Sequence, residues 1–231
     1  MEHGQVETFF HEFGHLIHHL FAGKHRWVGV SGFNTEWDFV EAPSQMLEEW
    51  AWDAESLKTF ASDAQGNVIP EELIKKMNRA RGFGKGLDVR HQMFYAALSL
   101  NYYNRSPESF EATELMRELQ AQYSPFAYVD DTYFQYSFGH LDGYSAIYYT
   151  YMWSLVISKD LFSVFQRNGL FDLETARRYR ELVLAPGGSK DAAEMVRDFL
   201  SRDYSFDAFS KWLNAGKLLQ TGEAVSSIAH D

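Results

Sequence analysis

No cysteine occurs in this chain of 231 residues, which excludes a disulfide framework and a thiolate metal site. Basic residues are outnumbered: 21 Lys and Arg stand against 32 Asp and Glu, for a formal charge of −11. So acidic a chain is not expected to bind nucleic acid or an anionic membrane, both of which need basic surface. Long apolar runs are also lacking. None approaches membrane-spanning length, and the N-terminus does not follow the basic-then-apolar plan of a signal peptide. Together these absences lead us to expect a cytoplasmic protein. Internal repeats and low-complexity segments are absent as well. What remains is rich in rings, at 16% aromatic residues including 13 tyrosines, with ample length for a real core.

The most informative stretch is VETFFHEFGHLIHHLFAG, residues 6–23. At helical period Val6, Phe9, Phe10, Phe13, Ile17, Leu20 and Phe21 form one broad apolar stripe, expected to be the buried back of a helix. His11 and His15 are four apart and stand one above the other, about 6 Å apart along the axis, so their side chains can converge on one ion. Glu12 follows the first histidine, within reach of a water on such an ion. This His-Glu-x-x-His arrangement is that of metal-assisted hydrolysis. A surface helix that happens to carry two histidines remains the alternative until a third ligand is found. His18 lies about 10 Å along the axis from His11, too far to share the ion, and reads as packing or support; His19 reads as solvent-facing. This helix begins within a few residues of Met1, which suggests part of a longer chain.

A loop, WVGVSGFNTEWDF, leads to a second helix over FVEAPSQMLEEWAWD, with Thr35 or Asp38 as its cap and Pro43 near its start. Glu41 in its first turn is the candidate third ligand, and two histidines with one glutamate make a catalytic zinc set. The other reading of Glu41 is an acid complementing the helix dipole. Glu48 and Glu49 read as solvated or supporting groups. Asp38 or Glu48 could hold the second ring nitrogen of a ligand histidine, and spacing does not choose between them.

The middle of the chain reads as helices joined by short loops: one from Pro70, one over LDVRHQMFYAALSLNYYN and one over ESFEATELMRELQAQYS. The lone Gly-x-Gly in FGKG lacks the context of a phosphate loop, and His91 reads as structural or surface. In FQYSFGHLDGYSAIYYTYMWS, residues 134–154, Gly139 and Gly143 flank His140 and Leu141 in a flexible turn. A helix is expected to follow, with Tyr144, Tyr148 and Tyr151 on one face. They could be a packing stripe, or donors for a developing oxyanion. The remainder is helical with a sharp APGGS turn, after which Ser189 is the expected cap.

HEFGH followed by DFVEAPSQMLEEW resembles the thimet oligopeptidase family (M3) of zinc metallopeptidases, which includes dipeptidyl carboxypeptidases. The resemblance runs from Glu7 to about Gly216. It implies a mainly α, multi-helix zincin-like catalytic domain with short loops and at most a small β element, here a single domain over residues 1–231. It implies one zinc ion per chain held by His11, His15 and Glu41, with Glu12 as the catalytic glutamate. It places His140, Tyr144 and Tyr151 on the residues that close over substrate, and Tyr148 on a further pocket position. The expected substrates are short peptides, cleaved internally or two residues from the carboxyl end, by a monomer. Members of the family are much longer and carry an N-terminal helical half that is missing here, so a metal-binding but inactive fragment is the alternative. Two departures stand out: the loop HLDGYSA is shorter than the family's glycine-rich form, and Ser201 stands where a glycine is usual.

Overall fold

The computed structural model describes residues 1–218, so the last part of the expected 1–231 domain lies outside the described residues. Among these the chain is helical, with no strand and a single antiparallel bridge, Ser62 to Val68. The fold is mainly α.

The chain begins with α1, His3–Phe21, earlier than the apolar pattern suggested because Glu2 and Gln5 form a capping box ahead of it. After a loop with one 3-10 turn comes α2, Ala42–Leu47, which runs into a 3-10 turn over Glu48–Trp52. Neither Thr35 nor Asp38 caps α2. The N-cap is Glu41 itself, and residues 37–41 are turns. Asp38 instead accepts a hydrogen bond from the Tyr149 hydroxyl at 3.0 Å. Helices α3 (Ala54–Lys58), α4 (Glu71–Arg81), α5 (Lys85–Tyr103) and α6 (Ala112–Tyr123) follow.

The tyrosine-rich stretch differs from expectation. His140–Gly143 is a single helical turn, α7, and the long helix α8 begins only at Thr150 and runs to Asn168. Tyr144 and Tyr148 therefore lie in turns rather than on a helix face. The left-handed backbone falls on Ser145, at φ 50°, and not on Gly139 or Gly143. The Ser145 carbonyl is held there by the Ser99 hydroxyl.

The chain closes with α9 (Leu173–Tyr179), a π turn (Arg180–Leu184), α10 (Ala192–Leu200) and α11 (Asp207–Leu218). Ser189 does not cap α10: its hydroxyl donates back to the Pro186 carbonyl at 2.6 Å, and Asp191 takes the N-cap. Ser201 ends α10 at φ 58°, ψ 25°, a conformation that glycine adopts without the Cβ penalty.

Two clusters form the core. One packs Phe39 and Met46 against Ile157, Leu161 and Phe165 of α8 and against Val183, Met195 and Phe199. The other joins Phe94 and Leu98 of α5 to Leu115, Met116 and Leu119 of α6 and to Phe138 and Tyr148. Each such side chain contributes about 1.5–3 kcal/mol when fully buried. Thr150, Ser154 and Ser158, four apart on α8 and fully buried, let the 37–45 segment approach closely. Thr150 donates to the Trp37 carbonyl at 2.6 Å and Ser154 to the Asp38 carbonyl at 2.8 Å. Gln45 donates to the Tyr151 carbonyl at 2.9 Å. Between the two clusters, the chain segment carrying Glu41 is thereby fixed to the helix carrying Tyr151.

Candidate active site

Helix α1 crosses α2 at Gly14. A Cβ on Gly14 would lie 2.6 Å from the Ser44 Cα, so no other residue fits without moving backbone. Glycine inside a helix costs about 1 kcal/mol relative to alanine; here that cost permits contact between the helices. The contact turns His11 and His15 towards the start of α2. Glu41 Oε2 lies 3.2 Å from His11 Nε2 and 3.1 Å from His15 Nε2. One ligand atom from each of the three residues falls within 4.8 Å of the others.

Two members of this group, Glu41 and His11, are held from behind. The Ser44 hydroxyl donates to the Glu41 carbonyl at 2.9 Å and approaches Glu41 Oε2 at 3.3 Å. Glu48, rather than Asp38, reaches His11 Nδ1, at 2.7 Å. His15 Nδ1 is buried without a partner. Burial acts against charge on both His11 and Glu41, but their mutual hydrogen bonds prevail. His11 is raised to about 10, helped by Glu48, and the Glu41 carboxyl is held well below the usual carboxylate range, helped by His15. Two nitrogens and a carboxylate oxygen aimed at one point suit a zinc ion, which takes such donors in catalytic sites.

Glu12 is exposed beside this group. Tyr144 donates to Glu41 Oε1, the oxygen turned away from the histidines, at 3.1 Å. Its ring stacks on Tyr151 at 5.6 Å, and the His140 ring lies 5.5 Å from Tyr144, 5.0 Å from Tyr148 and 5.7 Å from Tyr151. The three tyrosines and His140 are thus brought together although they share no helix. Tyr148 also serves the core: its hydroxyl donates to Gln92 at 3.1 Å, and burial pushes its phenol up to about 12. Burial raises Tyr144 and Tyr151 as well, with nearby Glu41 adding to both, so each keeps its proton at neutral pH. A cleft of about 580 Å³ lined by Tyr95, Phe134, Phe138, His140, Tyr144 and Tyr148 opens beside them.

Two features were not read from the sequence. Gly14 carried a signal, as a glycine inside a strongly helical pattern marks a close approach. Trp37, packed edge-on to Tyr144 at 5.6 Å, carried none. Of the two readings open for Glu49, solvated or supporting, the structure excludes the solvated one: it is 9% exposed and is held by Arg81 and Lys159.

Fold and site together define a helical domain with a two-histidine, one-glutamate group able to hold a metal ion. Comparison with known proteins makes this specific. Peptidase family M3 matches residues 1–215, and the chain belongs to that family. It is 31% identical over 212 residues to oligopeptidase A of Escherichia coli, covering 89% of this chain and 31% of that protein. It is 34% identical over 212 residues to the organellar oligopeptidase A of Arabidopsis thaliana, covering 87% of this chain and 26% of the relative. With the mitochondrial intermediate peptidase of Mus musculus it shares 31% over 207 residues, covering 89% and 29%. The chain therefore spans less than a third of the length of these relatives. No helix among the described residues is long and apolar enough to cross a membrane.

Proposed function

We propose that this chain is a zinc-dependent peptidase domain that hydrolyses peptide bonds in short oligopeptides, acting as a monomer. The observation that carries this reading is Glu41 Oε2, placed almost equally from the Nε2 atoms of His11 and His15, with Glu12 on the same helix. Zinc held by His11, His15 and Glu41 would supply a Lewis acid and bring the pKa of a water towards about 7.

The chain's own residues do the rest. The Glu12 carboxylate takes the proton of the attacking water and delivers it to the leaving amine. Tyr144 and Tyr151, protonated at neutral pH, donate to the oxygen that gains charge as the carbonyl is attacked. His140, packed against all three tyrosines, orients the adduct, and Tyr148 lines the cleft that receives a substrate side chain. The names of the relatives divide between cytosolic and organellar settings.

The second reading is a domain that binds zinc without turnover, favoured by the share of the relatives' length that the chain spans. A quenched fluorogenic oligopeptide, with bound zinc counted in wild type and Glu12→Gln, separates the two. The expected result is turnover that falls at least ~10³-fold in the variant while zinc stays at one per chain. Zinc without turnover in either protein selects the second reading. No zinc in the wild type overturns both.

A further inference from the structure

A cluster of charges that the reaction above does not use lies behind the metal group. Glu49 is 9% exposed and Lys159, in the middle of α8, only 5%. Arg81 grips the Glu49 carboxylate with two bonds of 2.9 Å, and Lys159 donates to the same carboxylate. The Arg81 guanidinium lies 4.5 Å over the Trp52 ring. The Trp52 ring nitrogen donates at 2.8 Å to Glu7, one turn ahead of His11 on α1. The 48–52 turn is thus held by α4 and α8 at one end and by α1 at the other.

Buried ion pairs are poor evidence for stability, since a well-packed apolar pair often does as well. What they add is direction. Successive side chains of a 3-10 turn point about 120° apart, so fixing Glu49 fixes where its neighbour Glu48 points. Glu48 is the residue on His11 Nδ1, at 2.7 Å, and that bond decides which way Nε2 faces.

We propose that Lys159 is a positioning residue for the metal centre: with Arg81 it locks Glu49, so that Glu48 holds His11 with Nε2 turned towards His15 and Glu41. The inference rests on these three residues being zinc ligands. Partners of this kind change metal affinity by about 10–100-fold when lost.

The test is zinc affinity by competition with a chromogenic chelator, alongside thermal unfolding. The variants are Lys159→Met, Lys159→Arg and the doubly neutral Glu49→Gln/Lys159→Met, which leaves no under-compensated glutamate if the single change fails to fold. The control is Arg202→Met, which unpairs the neighbouring Asp160, 1% exposed on the same helix and bonded by Arg202 at 2.5 and 2.8 Å. Lys159→Met and the double variant should lose roughly 10–100-fold in affinity, Lys159→Arg should recover most of it, and Arg202→Met should melt earlier yet bind zinc within about two-fold of wild type. Affinity retained in Lys159→Met or in the double variant, or lost equally in Arg202→Met, overturns the proposal. Absence of zinc from the wild type is a different failure, that of the ligand assignment itself.

Discussion

The two faces of α1 invert the usual arrangement of an amphipathic helix. Its inner face carries Gly14 and His18, both buried, with His11 and His15 beside them. Its outer face carries Phe9, Phe13, Leu16 and Leu20, between 43% and 61% exposed. Polar rings face the protein and phenyl rings face outward. A cavity of about 840 Å³ opens on this outer side between Val6, Phe9 and Phe10 and residues 60–73, and none of the candidate site residues line it. Periodicity identified the helix correctly, but of the stripe it marked only Val6, Phe10 and Ile17 are half-buried, while Phe9, Phe13, Leu20 and Phe21 are exposed. The inner face is chosen by backbone contact at Gly14 and by the convergence of His11 and His15 on Glu41.

The comparison breaks most readily at Gly14. Gly14→Ala places a methyl group against the Ser44 backbone, which cannot turn aside as a flexible side chain would. A loss of about 2–3 kcal/mol is expected on thermal unfolding, with weakened zinc binding, because the helix contact sets the distance between the histidines and Glu41. An alanine variant with unchanged stability and zinc affinity would mean that the helices are further apart in solution.

A smaller effect of opposite sign is expected at His18. Both of its ring nitrogens are buried without a partner. Burial, aided by the charges of His15 and His19, lowers it from 6.5 to about 4. Between these values the unfolded chain takes up a proton that the folded chain refuses, so this group costs stability as pH falls from 6.5 towards 4. His18→Leu removes the unpaired nitrogens at similar volume. The variant should be more stable than wild type by about 1 kcal/mol at pH 7, with the gap widening at pH 5. A wild type that stays the more stable across this range would show that the ring has a partner.

Much of the candidate site was legible because the spacing of its histidines is local. His11, Glu12 and His15 fall within five residues of one helix, and Glu41 follows in a stretch particular enough to be recognised. The fold class followed from periodic segments in the same way. Supporting groups were less legible because they depend on contacts distant in sequence. Glu49 resembles any exposed glutamate until Arg81 and Lys159 close around it from α4 and α8. The tyrosines share a site without sharing a helix, since the chain turns at Ser145 and α8 starts late. Ser189 had the right chemistry for a cap, but its hydroxyl was already committed to Pro186.

The outer face should respond least. Phe9→Ser and Leu20→Ser remove rings and branches that are 61% exposed, and surface changes of this kind usually stay within about 0.5 kcal/mol. Zinc affinity should not change, because neither side chain touches the inner face. The measurement is thermal unfolding at two protein concentrations about fifty-fold apart. If the serines instead cost about 2 kcal/mol or more, the stripe is covered in solution. A melting temperature that rises with concentration in wild type but not in the variants would then identify a second copy of the chain as the cover. Invariance in both would keep the two faces as described: one set by backbone contact and the convergence of His11 and His15 on Glu41, the other free of any role in holding that group together.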